Sequence, residues 1–431
     1  MLRKEPVIKC LFELEKNQTR NPNEIFQLQK NKLYKLLLHS IRHVPFYHKR
    51  LGNSISLASP DDAVNALGDL PILTKDDLRA HREEMISRDG IKVYSVKSSG
   101  STGRPLKFYK DRIASAYTYA AMYRGLRWFG INYCDQEAYL WGIPIGRIDN
   151  LSAKVRDFLL NRFREKAFSL SDEVNYQFYN KIISKKPSLL SGYGTLIYEF
   201  ARYVHKQKLD FQRPIMRAIK YTAEMMYDYQ KDFASKVFRC PIVSEYGSAE
   251  TGVVSFQCPQ GGHHVMSDCA LVEFKKDHHT GLFRVIVTNL NSYGFPIIRY
   301  DTGDLVETDI VSNCSCRLPF PIMGEIIGRS SDIVQTPEGT KVHSNIFSYI
   351  IKELMKSYGD IDQIRFTQRK VNEIAVEVVA KQDIEGLKDD IVHLVQERLS
   401  PKMQVNFKRT SSLKRADSRK LRYFISEMGD E

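Results

Sequence analysis

The sequence predicts an α/β protein: a large N-terminal domain of parallel strands and helices with a β-rich subdomain, then a small α+β C-terminal domain. Three observations predict it. The chain has 431 residues, enough for two to three domains. Residues 217–255 alternate strand, polar helix and strand, the rhythm of a parallel sheet crossed by helices. After Gly328 the pattern turns to short strands and two helices, over a stretch long enough for a domain of its own. The domains are therefore set at 1–328 and 329–431.

Taken in order, residues 20–50 predict a helix. Asn23 is its expected cap, and Ile25, Leu28, Leu33, Leu36 and Leu37 recur near helical spacing. Residues 111–129, rich in Ala, Tyr and Arg, predict a second helix. Glu137–Trp141 and Leu189–Leu190 predict short strands. Arg217–Glu224 and Pro241–Gly247 predict strands on either side of a polar helix over Asp228–Phe238. The alternating runs Leu271–Phe274 and Leu282–Leu290 predict antiparallel strands. The C-terminal part predicts a strand at Asp332–Gln335, a turn at Pro337–Gly339 and a helix at Asn345–Tyr358. Strands at Gln363–Gln368 and Glu373–Ala380, a helix at Ile384–Leu399 and a basic tail follow.

Hydrophobic residues at 42% and charged residues at 27% argue against a disordered chain, a collagen-like repeat and a coiled coil. The 64 Lys+Arg against 51 Asp+Glu leave a net charge of +13, which suits an anionic partner: nucleotide, coenzyme, nucleic acid, charged glycan or membrane face. No apolar run approaches the roughly 18–20 residues that span a bilayer. Glu5, Glu13 and Glu15 interrupt the N-terminal stretch, so no secretory signal is expected. Seven cysteines are odd and sparse, which argues against a disulfide scaffold. The expectation is a soluble cytoplasmic protein.

The most informative segment is Tyr94–Tyr109. Gly100 and Gly103 let the backbone bend so that several N–H groups face one anion. Ser98, Ser99, Ser101 and Thr102 add hydroxyls, and Lys97, Arg104 and Lys107 add charge. A triphosphate needs this many donors at once. The other reading is a plain Ser/Gly surface loop, and the segment lacks the Gly-Lys-Ser/Thr ending of the Walker pattern. A second constellation is Cys258 with His263 and His264, and Cys314 with Cys316. Three thiolates and an imidazole suit tetrahedral Zn²⁺; the other reading is inert thiols in a reducing cytosol.

Three further segments accompany the Ser/Gly loop: Ser244-Glu-Tyr-Gly-Ser-Ala-Glu250, Ile298-Arg-Tyr-Asp-Thr-Gly-Asp304 and Gly328-Arg-Ser-Ser-Asp332. In this order they resemble the motifs of the adenylate-forming superfamily, above all the branch of phenylacetate–CoA ligases and CapK-type proteins of capsular polysaccharide loci. The resemblance runs from about Leu33 to Lys420 and implies an adenylate-forming N-terminal domain with a mobile C-terminal lid hinged in the Arg329–Asp332 stretch.

The resemblance also implies roles. Ser98, Ser99, Gly100, Ser101, Thr102, Gly103 and Lys107 would hold the β- and γ-phosphates of ATP. Tyr246, beside Gly247, would stack on adenine. Ala223 and Glu224 would lie beside the nucleotide and acyl pocket, with Tyr193 and Trp141 as further lining. Glu250 would hold Mg²⁺. Asp304 would bind the ribose hydroxyls, with Arg329 nearby. Lys420 would be the catalytic residue; Arg419 stands where the family has glycine, and Lys414 and Lys408 are the other candidates. Cys258, His264, Cys314 and Cys316 match a structural zinc site, with His264 in better register than His263.

The implied reaction activates a carboxylic acid as acyl-AMP and passes the acyl group to coenzyme A. The alternative acceptor is an amine or hydroxyl of a sugar or amino acid, as a capsule locus would require. A homodimer is open to it, as in relatives. A basic nucleic-acid-binding protein is the competing class; its cations are dispersed and no nucleic-acid motif is present.

Overall fold

The computed structural model describes residues 6–52, 57–98, 106–141, 155, 157–166, 172–278, 280–311, 314–329, 332–358, 361–380, 384–413 and 423–428. The chain forms two compact units. The first comprises 1–274, 285–302 and 308–325; the second comprises 275–284, 303–307 and 326–431.

The long helix near the N-terminus runs from Pro22 to His43. Its cap is Asn21, not Asn23: the Asn21 side chain accepts from the Glu24 backbone N–H, and Glu24 returns the bond to Asn21. Pro22 takes the first helical position, where a missing N–H is harmless. The helix ends before Val44-Pro45 rather than running to residue 50, because proline cannot continue it, and Pro45 starts a separate short helix, Pro45–Leu51.

Among the described residues the first unit holds a nine-stranded sheet in the order 310–311, 322–323, 263–265, 252–257, 242–248, 218–222, 189–193, 137–141, 162–166. The last five in this order are parallel to one another. From 252–257 outward the pairing is antiparallel. On one face Ala138, Leu140, Leu190, Ile219 and Tyr221 pack with Phe178, Phe200 and Phe238 from the helices Asp172–Lys185, Gly194–Lys206 and Asp228–Phe238. Each such phenylalanine contributes roughly 1.5–3 kcal/mol of burial energy.

On the other face Leu189, Ala218, Val243 and Phe256 pack against Ala116 and Ala120 of the helix Arg112–Arg127 and against the helix Val7–Asn17. Gly125 makes this approach possible: a Cβ there would lie 2.4 Å from the Phe256 ring. Arg124, one residue earlier, is fully buried and grips Asp268 with two bonds of 2.7 and 2.9 Å. It also donates to the Leu14 carbonyl, and Asn17 donates to Asp268, so one buried charge pair ties the first helix to the core.

A third core, built on Leu33, Leu36, Leu37, Phe108, Phe295 and Tyr300, supports the hairpin Val93–Lys97/Lys107–Asp111. Nothing in the apolar periodicity foreshadowed that hairpin.

The second unit holds a four-stranded sheet in the order 404–410, 373–380, 361–370, 424–426. The central pair is antiparallel and both outer strands are parallel to their neighbours. The helix Leu387–Arg398 makes the crossover that a parallel pair requires. Phe347, from the helix Ile346–Ser357, stacks on Phe366 at 4.3 Å and lies 5.2 Å from Phe424. The expected basic tail is thus partly sheet: Gln404–Thr410 and Phe424–Ser426 are strands. In Gln404–Thr410 only Val405, Phe407 and Thr410 are half-buried, and the exposed Lys408 and Arg409 make the run read as charge. Among the described residues no helix is long and apolar enough to cross a membrane.

Candidate functional site

The Ser/Gly loop closes the Val93–Lys97/Lys107–Asp111 hairpin. Ser98 N–H donates to the Leu106 carbonyl at 2.8 Å and Leu106 N–H donates to Ser98 Oγ at 3.2 Å, pinning the two ends of the loop. Ser99, Gly100, Ser101, Thr102 and Gly103 lie outside the described residues. At the base of the loop Lys97 and Lys107 are direct cross-strand partners, and both are exposed. Like charges placed opposite one another repel, an arrangement that an anion between them would relieve.

The parallel strands deliver the next group. Tyr193, Thr222 and Glu245 are register partners at the C-terminal ends of three adjacent strands. Ligands of open α/β sheets bind at this edge. Ala223 follows with φ +67°, a left-handed conformation that costs a non-glycine residue roughly 1–2 kcal/mol. The bend aims Glu224 at the start of the helix Gly194–Lys206, where its carboxylate accepts from Thr195 N–H at 3.1 Å and Thr195 Oγ1 at 2.5 Å. Burial, with Glu224 adding to it, pushes the Tyr193 hydroxyl up to about 12.

Tyr246 and Gly247 lie near the end of the strand Ile242–Ser248, and Glu250 lies on the tight connection that leads into Gly252–Gln257. A Cβ on Gly247 would stand 2.1 Å from the Gly252 carbonyl oxygen, so only glycine fits beside Tyr246. The Ser248 hydroxyl accepts from the N–H groups of Glu250 and Thr251 and holds the turn. Tyr246 is buried, with its hydroxyl 3.4 Å from Thr302 Oγ1. Glu250 is 6% exposed, and no cation among the described residues pairs with it. A buried carboxylate without a cation is a fit partner for a hard metal ion.

In the second unit Asp304 lies within the strand Tyr300–Val306, not at a strand-to-turn junction. Its register partner is Arg329, whose Nε lies 3.5 Å from its carboxylate. The Arg329 carbonyl accepts from Asp332 N–H at 3.0 Å and lies 2.9 Å from His343 Nε2. Lys420 and Lys414 lie outside the described residues; Lys408 is exposed on the strand Gln404–Thr410.

The Cys/His constellation is brought together in the first unit. The donor atoms of Cys258, His264, Cys314 and Cys316 all lie within 4.8 Å of one another. Cys258 Sγ and Cys314 Sγ are 3.5 Å apart, and Cys316 Sγ is 3.0 Å from His264 Nε2. Thiolates on a tetrahedral zinc stand about 3.8 Å apart for Zn–S bonds near 2.3 Å, so the donor set fits that ion.

His264 Nδ1 donates to the Phe320 carbonyl at 2.7 Å, which leaves Nε2 as the ligand atom. Burial lowers its pKa and keeps the imidazole neutral. Burial works against ionisation of Cys314, yet the N–H groups of Cys316 and Gly262 hold its thiol below the ordinary value. Burial pushes Cys316 up to about 12. Strand alternation separates the two histidines: His263 points away from the thiols, and burial together with Lys231 lowers its pKa to about 4.

Residues 334–427 match the family described as CapK C-terminal domain. Over 404 residues the chain is 25% identical to protein CapK of Staphylococcus aureus, covering 91% of this chain and 86% of that one. It is 24% identical over 429 residues to phenylacetate–coenzyme A ligase of Thermus thermophilus, covering 88% and 89%. Among solved structures, a 2-hydroxyisobutyryl-CoA ligase in the postadenylation state matches with a TM-score of 0.71 at 17% identity, over 93% of this chain and 89% of that one. Along most of its length the chain is thus similar in sequence to CapK and to a phenylacetate–coenzyme A ligase, it shares the fold of an adenylate-forming CoA ligase, and its residues 334–427 match the CapK C-terminal domain.

Proposed function

We propose that this protein activates a carboxylic acid with ATP and passes the acyl group to coenzyme A. One observation carries the reading. Residues from three separate motifs, Tyr193, Ala223–Glu224 and Tyr246, emerge side by side at the C-terminal edge of one parallel sheet. In the first step a carboxylate oxygen attacks the α-phosphorus of ATP. A P–O bond forms, the bond to the β-phosphate oxygen breaks, and acyl-AMP and pyrophosphate result. In the second step the thiol sulfur attacks the acyl carbon, AMP leaves with the C–O bond electrons, and the thiol proton passes to solvent.

The residue roles belong to this reading. The Ser98–Lys107 loop holds the outgoing phosphates. Tyr246 provides a flat wall for adenine, and Asp304 and Arg329 take the ribose. Glu250 would hold Mg²⁺, which would offset negative charge on the phosphates. Lys420 steadies the negative charge that builds at phosphorus. Residues 329–431 act as the lid that carries Lys420 in for the first step and out for the second. Zn²⁺ at Cys258, His264, Cys314 and Cys316 is structural, because four protein donors leave no open position.

The test is pyrophosphate exchange with ATP, Mg²⁺ and a panel of carboxylic acids. Exchange that Lys420→Ala lowers by at least about a hundredfold supports the reading; equal exchange in both proteins removes Lys420 from it. Adding coenzyme A, then amino sugars, to the charged enzyme identifies the acceptor. Elemental analysis of the purified protein reads zinc directly. About one equivalent is expected, lost in Cys316→Ser; a metal-free native protein overturns the assignment.

A further inference from the structure

The sheet face beneath the helix Arg112–Arg127 changes character along its strands. At the N-terminal ends Leu189, Ala218 and Val243 are fully buried among Ala116 and Ala120. Two residues further along, the same face is polar. Ser191 and Lys220 are register partners, and Lys220 Nζ lies 3.0 Å from Glu245 Oε2. Two residues further again, Tyr193 and Thr222 are half-buried at the edge where Ala223 and Glu224 turn away.

Ser191 and Lys220 sit one step below the edge, Glu245 reaches Lys220 from the edge row where it is the register partner of Thr222, and the cluster is only partly satisfied. Ser191 is 1% exposed, and its hydroxyl has no hydrogen-bond partner among the described residues. The Lys220 ammonium has three protons to donate. The acceptors it meets among the described residues are one carboxylate oxygen and the Met122 sulfur at 3.4 Å. Buried donors left short of acceptors cost stability, and apolar side chains here would simply extend the core.

We propose that Ser191, Lys220 and Glu245 form the floor of the acyl pocket, and that the activated acid carries a neutral group able both to donate and to accept, a hydroxyl or an amide, at the end remote from its carboxylate. The inference rests on the adenylation reading above and narrows its substrate class. Such a group accepts from Lys220 or Ser191 and donates to Glu245. The Lys220–Glu245 pair carries no net charge, so a charged substituent would leave a buried charge without compensation. A purely apolar acyl chain would leave the donors unmatched.

The experiment compares size-matched acids in pyrophosphate exchange on the full chain: 4-hydroxybutyrate against pentanoate, and 4-hydroxyphenylacetate against 4-methylphenylacetate. The expected result is a kcat/KM at least about tenfold higher for the hydroxylated member of a pair. Ser191→Ala should narrow that ratio, and the double variant Lys220→Met/Glu245→Met should abolish it, both with the KM for ATP unchanged. The double variant avoids leaving Glu245 buried alone; if a thermal scan shows it unfolded, Ser191→Ala decides. Equal or better exchange with the apolar members overturns the pocket assignment and leaves adenylation standing. No exchange with any acid removes both.

Discussion

Two buried ion pairs, one anchored on the helix Arg112–Arg127 and one on the sheet strands that touch it through Met122, are built differently. Arg124 and Asp268 are both 0% exposed and meet through two parallel bonds, with Asn17 and the Leu14 carbonyl taking further capacity. The guanidinium also lies 4.5 Å over the Phe320 ring. Lys220 and Glu245 meet through one contact, with side chains 6% and 12% exposed, and the adjacent Ser191 hydroxyl is idle. The first pair uses both carboxylate oxygens, leaves only the Arg124 Nε without a partner, and holds elements together deep in the core. The second retains bonding capacity next to the edge where a substrate would enter. A two-bond geometry inside the core, more than burial alone, separates a structural lock from a pair that meets through a single contact beside the strand edge.

The strongest way to break this comparison is to open the lock. Arg124→Met leaves Asp268 buried and unpaired, and unfolding in urea should show a loss of about 3–5 kcal/mol. A loss near that of a surface substitution would contradict the role of this pair as a lock. Lys220→Met should cost less, about 1–3 kcal/mol, because Glu245 keeps some access to water. If the two losses are equal, the distinction fails.

Acid sharpens the contrast further. Burial alone would raise the Asp268 pKa, but Arg124, then Lys32 and Asn17, hold it below the usual carboxylate value. A depressed native pKa contributes stability that is present above the unfolded value near 4 and is lost as pH falls through the native one. Stability of the native protein should therefore fall more steeply below about pH 4 than that of Asp268→Asn, followed by circular dichroism. The smallest effect sets the scale. Asn21→Ala removes an exposed cap and should cost about 1 kcal/mol, with no change in exchange activity.

The candidate site was legible where chemistry is local. The Ser98–Lys107 loop announces itself by its own glycines, hydroxyls and cations, and its ends are indeed held as a loop by Ser98 and Leu106. The strand Glu137–Trp141 and the helix Asp228–Phe238 were readable from their runs of residues. The hairpin flanking the loop was not, because Lys97, Lys107 and Lys110 obscure its alternation. Asn21 was overlooked as a cap because the proline after it reads as a break rather than a first helical residue. The Ser191–Lys220–Glu245 row left no trace, since its members lie on three strands separated by whole helices.

The sequence by itself determined the residue types suited to phosphate, metal and acid, and the order in which they occur. Those depend on side-chain chemistry and on spacings within a single turn or loop. Only the tertiary structure decided which strand residues face one another beneath a helix. Strand alternation sends neighbours to opposite faces, and register is set by partners far away in the chain, so that information exists only once the sheet has formed.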